Sequence, residues 1–122
     1  MPKIANILLV EDEDPLRMIA KDELTLQGFE VDEADDGPYA LEKMEAKRYD
    51  VVILDIRMPQ MNGLDVLKTL REKNLANKVI MLTAVGELKV AQDSLRLGAD
   101  DFMTKPYDLK ALVACINRVL KD

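Results

Sequence analysis

The chain contains no histidine, and that absence restricts the chemistry open to it. Cys115 is the only cysteine, so the usual zinc-ligand sets are missing and any bound metal must be held by oxygen. A single cysteine also excludes an intrachain disulfide. No apolar run approaches the roughly 20 residues that span a bilayer. The start, Met1-Pro2-Lys3-Ile4-Ala5-Asn6-Ile7-Leu8-Leu9-Val10, lacks the long apolar stretch and small-residue cleavage site of a secretory leader. A cytoplasmic protein with no membrane segment is the expectation. Basic clusters are missing too. With a net charge of −6 and no basic stripe, this segment is not expected to bind nucleic acid, because affinity for phosphate backbones comes mainly from clustered Lys and Arg.

What is present is the composition of a soluble globular domain, 48% hydrophobic and 33% charged. The 122 residues suffice for one continuous core and leave no room for a second domain, so residues 1–122 are expected to form a single unit. Ile4 to Val10 is an almost unbroken aliphatic run, which suits a strand covered on both faces. Asp14-Pro15 then opens a helix: Asp14 is placed to cap the free amides, Pro15 loses nothing at a helix start, and Leu16, Ile19, Ala20 and Leu24 share one face before Gly28 ends the run. The alternation repeats, with strands expected near Glu30–Ala34, Val51–Leu54, Val79–Thr83 and Asp101–Thr104. Helices are expected near Pro38–Ala46, Gly63–Glu72, Glu87–Leu97 and Leu109–Leu120, the last with Asp108 as its cap. Five strand–helix units with short connections predict an α/β fold, an open parallel sheet with helices on both faces. In such sheets the ligand site lies beyond the carboxyl ends of the strands, where strand order reverses.

Those ends carry Glu11-Asp12-Glu13-Asp14, Asp55, Thr83-Ala84 and Lys105-Pro106. Glu11, Asp12 and Asp55 brought together would repel one another unless protons or a cation intervene. A hard divalent ion answers that need, and Mg²⁺, which keeps several waters and needs few protein oxygens, fits better than Ca²⁺, with Mn²⁺ left open. Glu13 reads equally well as an exposed loop residue. Asp55 follows the apolar run Val51-Val52-Ile53-Leu54 and so resembles a presented side chain more than a solubilising one. At the fifth strand's end the Lys105 ammonium could neutralise Asp55 or clamp a phosphoryl oxygen, and Thr83 supplies a neutral donor. The chemistry open to this set is phosphoryl transfer to a carboxylate, which needs no histidine because an ionised Asp is already nucleophilic.

Ile7-Leu8-Leu9-Val10-Glu11-Asp12, Val52-Ile53-Leu54-Asp55-Ile56-Arg57-Met58-Pro59, Met61-Asn62-Gly63, Leu82-Thr83-Ala84, Gly98-Ala99-Asp100-Asp101-Phe102 and Thr104-Lys105-Pro106, in that order, resemble the receiver domain of bacterial two-component response regulators from end to end. The resemblance implies a flavodoxin-like three-layer sandwich with strand order 2-1-3-4-5. It implies phosphorylation of Asp55 by a sensor histidine kinase or a histidine phosphotransfer protein. Asp12 and Asp55 would bind Mg²⁺ directly, with Glu11 reaching it through water and Arg57 offering its main-chain carbonyl. Thr83 and Lys105 would bind phosphoryl oxygens. Thr83 and Phe102 would act as a switch that reshapes the face formed by the fourth helix, fifth strand and fifth helix. Kinase docking is implied near the first helix, at Leu16, Met18 and Ile19. Output would pass to a covalently linked domain or to a free partner, with a phosphorylation-dependent homodimer as one mode.

Three residues depart from the family pattern. Glu11 stands where Asp is commoner, Phe102 replaces the commoner Tyr, and Cys115 stands near the place where winged-helix regulators usually have an Arg that pairs across the dimer face, which counts against that dimer. The segments Thr83-Ala84-Val85-Gly86 and Lys105-Pro106-Tyr107-Asp108-Leu109 look more like receivers of the nitrogen-regulation, enhancer-binding group. Two rivals fare worse. A haloacid-dehalogenase-type phosphatase would place a second Asp at position 57, where Arg stands, and a flavodoxin-like cofactor binder would not line its phosphate loop with carboxylates. A pseudo-receiver that acts by binding alone is not suggested, since Asp12, Asp55, Thr83 and Lys105 are all present.

Overall fold

The computed structural model describes residues 4–121. Five strands alternate with five helices: β1 Asn6–Val10, α1 Asp14–Leu26, β2 Glu30–Ala34, α2 Gly37–Ala46, β3 Tyr49–Asp55, α3 Gly63–Glu72, β4 Ala76–Ala84, α4 Leu88–Arg96, β5 Asp101–Lys105 and α5 Leu109–Lys121. The strands form one parallel sheet in the order β2-β1-β3-β4-β5, as expected. No helix among the described residues is long and apolar enough to cross a membrane.

The unbroken apolar runs follow from burial on both faces. Ile7, Leu9, Val51 and Ile53 pack against Ala20 and Leu24 of α1 and Leu112 and Ile116 of α5. Their neighbours Leu8, Val10, Val52 and Leu54 point the other way, against Ala40 and Met44 of α2 and Val66, Leu67 and Leu70 of α3. Because side chains alternate along a strand, a run with both faces covered must be apolar at every position.

Two local expectations need correcting. The N-cap position of α1 is Glu13, not Asp14, and it makes no side-chain cap bond. Asp14 lies inside the first turn and accepts a 2.6 Å bond from Arg17 Nη2 instead. Ile19 is also off the buried face, at 57% exposure. The buried positions of α1 are Ala20 and Leu24, four residues apart, and Ile19 stands one residue, about 100° around the helix, from Ala20. The remaining differences are in extent. The first strand starts at Asn6 rather than Ile4, while β3 and β4 run longer than their apolar cores because Tyr49 pairs with Ala76 and carries the ladder into polar sequence. Asp108 does accept from Lys110 N at 2.9 Å at the start of α5, as predicted.

Strand order reverses between β1 and β3. Their last register pair is Val10 with Leu54, so Glu11 and Asp55 emerge side by side into the crevice.

Candidate functional site

Asp55 closes β3 at 4% exposure, and its Oδ1 accepts a 3.2 Å bond from Arg57 N. Lys105, at the end of β5, donates to Asp55 Oδ2 at 2.8 Å, and its Nζ lies 2.6 Å from Glu11 Oε1. Glu11 is fully buried; its main-chain N–H donates to Ala34 O and its Oε2 accepts from Glu13 N at 3.2 Å. Glu11, Asp12 and Asp55 each offer an oxygen within 4.8 Å of the others, a group that could hold a metal ion. A cavity of about 250 Å³ opens over them, walled by Asp12, Glu13, Asp55, Arg57, Ala84 and Lys105.

The electrostatics follow from burial. Desolvation, then the adjoining Asp55, pushes the Glu11 carboxyl up to about 7, with Lys105 opposing. Burial also works against the Lys105 ammonium, but Asp55 and Glu11 outweigh it and hold the group above the ordinary lysine value. One cation therefore faces three carboxylates, a charge deficit that a divalent ion would balance.

Of the predicted residues, Asp12, Asp55 and Lys105 line this cavity, and buried Glu11 joins them from beneath through Lys105. Arg57 borders it, its main-chain N–H bonded to Asp55 and its guanidinium donating to Glu87 Oε1. Thr83 lies at the end of β4 at 2% exposure, and among the described residues its hydroxyl has no partner. A buried orphan hydroxyl carries a desolvation cost of about 1–3 kcal/mol, which an incoming oxygen would offset. Phe102 is outside the cavity wall; it pairs in register with Met81 and packs half-buried on the α2–α3 side of the sheet, the side that Thr83 shares. At the far end of that strand, Asp101 accepts from Arg118 Nη2 at 2.6 Å, and buried Cys115 approaches it at 3.5 Å. Arg118, three residues along α5 from Cys115, thus holds Asp101 within the chain.

Sequence reading did not anticipate Arg17, which donates to Glu11 O at 2.7 Å and to Glu33 at 2.9 Å and so braces the loop that carries the acids. Tyr107 was likewise missed as a site neighbour. Among the described residues its hydroxyl is buried without a partner, and burial, reinforced by Glu11, pushes it up to about 12. Gly63 was read only as part of a motif, yet it fixes the Asp55 turn. Its N–H donates to Ile56 O at 2.7 Å, and a Cβ there would lie 2.4 Å from Asp55 O and 2.8 Å from Ile56 Cα. Both obstacles are backbone. Gly63→Ala is therefore expected to cost about 1–3 kcal/mol in urea unfolding, and a loss below about 0.5 kcal/mol would show that the turn relaxes freely.

Comparison with known proteins agrees with this geometry. Residues 7–117 match the model of the response regulator receiver domain. The chain is 40% identical over 121 residues to the regulatory protein AtoC of Escherichia coli, of which it spans 26%, and 37% identical over 116 residues to the chemotaxis protein CheY of Bacillus subtilis, of which it spans 97%. It covers about a quarter of the first of these relatives and nearly all of the second. The crystal structure of NtrX from Brucella abortus superposes on 98% of this chain and 27% of its own with a TM-score of 0.91 at 29% identity. With the site, the sheet order and the match across its length in agreement, the chain belongs to the response regulator receiver domain family.

Proposed function

We propose that residues 1–122 act as one receiver unit that accepts a phosphoryl group on Asp55 from a sensor histidine kinase or a histidine phosphotransfer protein, in the cytoplasm. The observation that carries this reading is the pairing of a nearly buried Asp55 with Lys105 at 2.8 Å in a cavity that Asp12 and Glu13 also line. An ionised Asp55 oxygen attacks phosphorus; the new O–P bond forms as the donor's P–N bond breaks, and the departing imidazole takes a proton from solvent. Lys105 offsets charge on the transferring oxygens, and the Thr83 hydroxyl donates to one of them. Mg²⁺, with Mn²⁺ as a substitute, would be held by Asp12, Asp55 and the Arg57 carbonyl, with Glu11 behind them, and supplies further charge neutralisation. The protein turns over no other substrate; its chemistry is its own phosphorylation and dephosphorylation.

Downstream, Thr83 drawn toward the phosphoryl group frees space on the face of the sheet where Phe102 packs, which supports their role as a switch. Met18 and Ile19, at 59% and 57% exposure on α1, offer the kinase an apolar footing. The chain matches only a quarter of AtoC, which supports an output domain beyond this segment in proteins of that build, while its near-complete match to CheY supports a free-standing form. A phosphatase of haloacid-dehalogenase type has no support, because position 57 holds an Arg already paired with Glu87.

Intact mass after incubation with acetyl phosphate and Mg²⁺ is the test. The wild type is expected to gain one phosphoryl group and Asp55→Asn none; equal gain in both, or none in either while a known receiver reacts, would overturn the reading.

A further inference from the structure

Arg57 stands between two cavities. It borders the 250 Å³ pocket over Asp55 and also a groove of about 580 Å³ that continues toward Met58, Leu64 and Val90. Glu87 lines only the groove. Both Arg57 Nε and Nη2 donate to Glu87 Oε1, a residue of the groove, while the Arg57 main-chain N–H donates to Asp55 Oδ1 itself.

Glu87 occupies the N-cap position of α4, yet its carboxylate caps none of that helix's free amides. It is committed to Arg57 instead. The helix that starts there is lightly held. Its buried residues are Ala91 and Ser94, both short, and Gly86 before it has φ +89. Its far end is fastened. Arg71 donates from Nε to Gly98 O at 2.9 Å and from Nη2 to Asp100 Oδ2 at 3.0 Å, and Val79 N donates to the same oxygen at 2.8 Å. A short helix clamped after its carboxyl end, and tied at its amino end by an ion pair whose Arg side chain is 74% exposed, can pivot when that tie opens.

We propose that Arg57 exchanges partners on phosphorylation: it holds Glu87, and with it the start of α4, until a phosphoryl group on Asp55 draws the guanidinium into the pocket. This rests on the phosphoacceptor reading of Asp55. A phosphoryl group carries about −1.5 to −2 charge and three acceptor oxygens, against one charge and two oxygens for Glu87. Guanidinium geometry also matches phosphate bidentately. Glu87, now repelled by the same group, is released to fold back on the amides of the first turn of α4. The device runs through the edge of the groove and needs no movement of Phe102.

Hydrogen–deuterium exchange over residues 85–92, with intact mass measured on the same samples, tests it. In the absence of phosphodonor, Glu87→Gln and Arg57→Gln are each expected to speed exchange there about twofold to fivefold, the scale of one exposed ion pair. The double variant should add nothing further, and exchange in β1 and β3 should stay at the wild-type level. The reversed pair Arg57→Glu with Glu87→Arg should restore protection. Acetyl phosphate with Mg²⁺ should alter exchange in this segment in the wild type and much less in Glu87→Gln. Wild-type exchange in both single variants, or an equal donor response in Glu87→Gln, would overturn the proposal. A missing mass gain would instead defeat the phosphoacceptor reading, and the donor-free comparison would still judge the tie.

Discussion

Lys105→Met is expected to slow phosphoryl gain from acetyl phosphate about 10²–10³-fold, the usual effect of removing one charge-stabilising donor from a reacting centre. It should also destabilise the fold in a way that depends on pH. Lys105 lies within 2.8 Å of Asp55 and 2.6 Å of Glu11, and those carboxylate side chains are 5% and 1% exposed. Removing one partner from a buried pair typically costs about 3–5 kcal/mol. Here a proton can partly replace the lost cation, because the Glu11 carboxyl is already raised to about 7. The stability deficit should accordingly be largest at pH 8 and shrink toward pH 5. Lys105 itself, held above the ordinary lysine value, stays charged throughout that window in the wild type, so the pH dependence belongs to the carboxylates. Urea unfolding at both pH values measures it. A deficit of the same size at pH 5 and pH 8, or a transfer rate within about fivefold of wild type, would remove Lys105 from the role given to it.

The parts of the fold readable in the sequence are those governed by burial. Val51-Val52-Ile53-Leu54 could only be a strand covered on both faces, and the structure covers it. The polar start of β4 at Ala76-Asn77-Lys78 was not readable, because main-chain pairing with β3 extends it, not side-chain preference. Glu11, Asp12, Asp55 and Lys105 could be placed since each sits at a strand's carboxyl end, where topology alone gathers them. Arg17 and Glu87 could not. Their long side chains cross from α1 and from the loop before α4, and no spacing along the chain predicts where such reach ends. The capping residue of α1 was misread for a related reason. Asp-Pro fits a helix start at either of two registers, and the pull of Arg17 on Asp14 leaves Glu13 in the cap position.

The largest response to conditions should come from Glu11. Its carboxyl rises from 4.5 to about 7 through burial first and the adjoining Asp55 second. A carboxyl whose folded value exceeds its unfolded one favours the fold in its protonated form. Its contribution is therefore complete below about 4.5 and is lost as pH climbs through about 7, a decline on the order of 1–3 kcal/mol in metal-free protein. Asp32, Glu33 and Asp101 are held below their usual values by partners, so their contributions fall away at lower pH and leave this window to Glu11. Mg²⁺ held beside Glu11 by Asp12 and Asp55 opposes that proton through its charge. The rise in melting temperature on adding Mg²⁺ should then be small at pH 5 and grow steadily to pH 8. Glu11→Gln should flatten the metal-free decline, and Asp12→Asn should shrink the Mg²⁺ increment at pH 8 while leaving that decline in place. Scanning calorimetry of the three proteins with and without Mg²⁺ separates these effects. An increment equal at pH 5 and pH 8, or undiminished in Asp12→Asn, would mean that the ion and the proton do not meet at this cluster, and the acid group would then be held together by Lys105 alone.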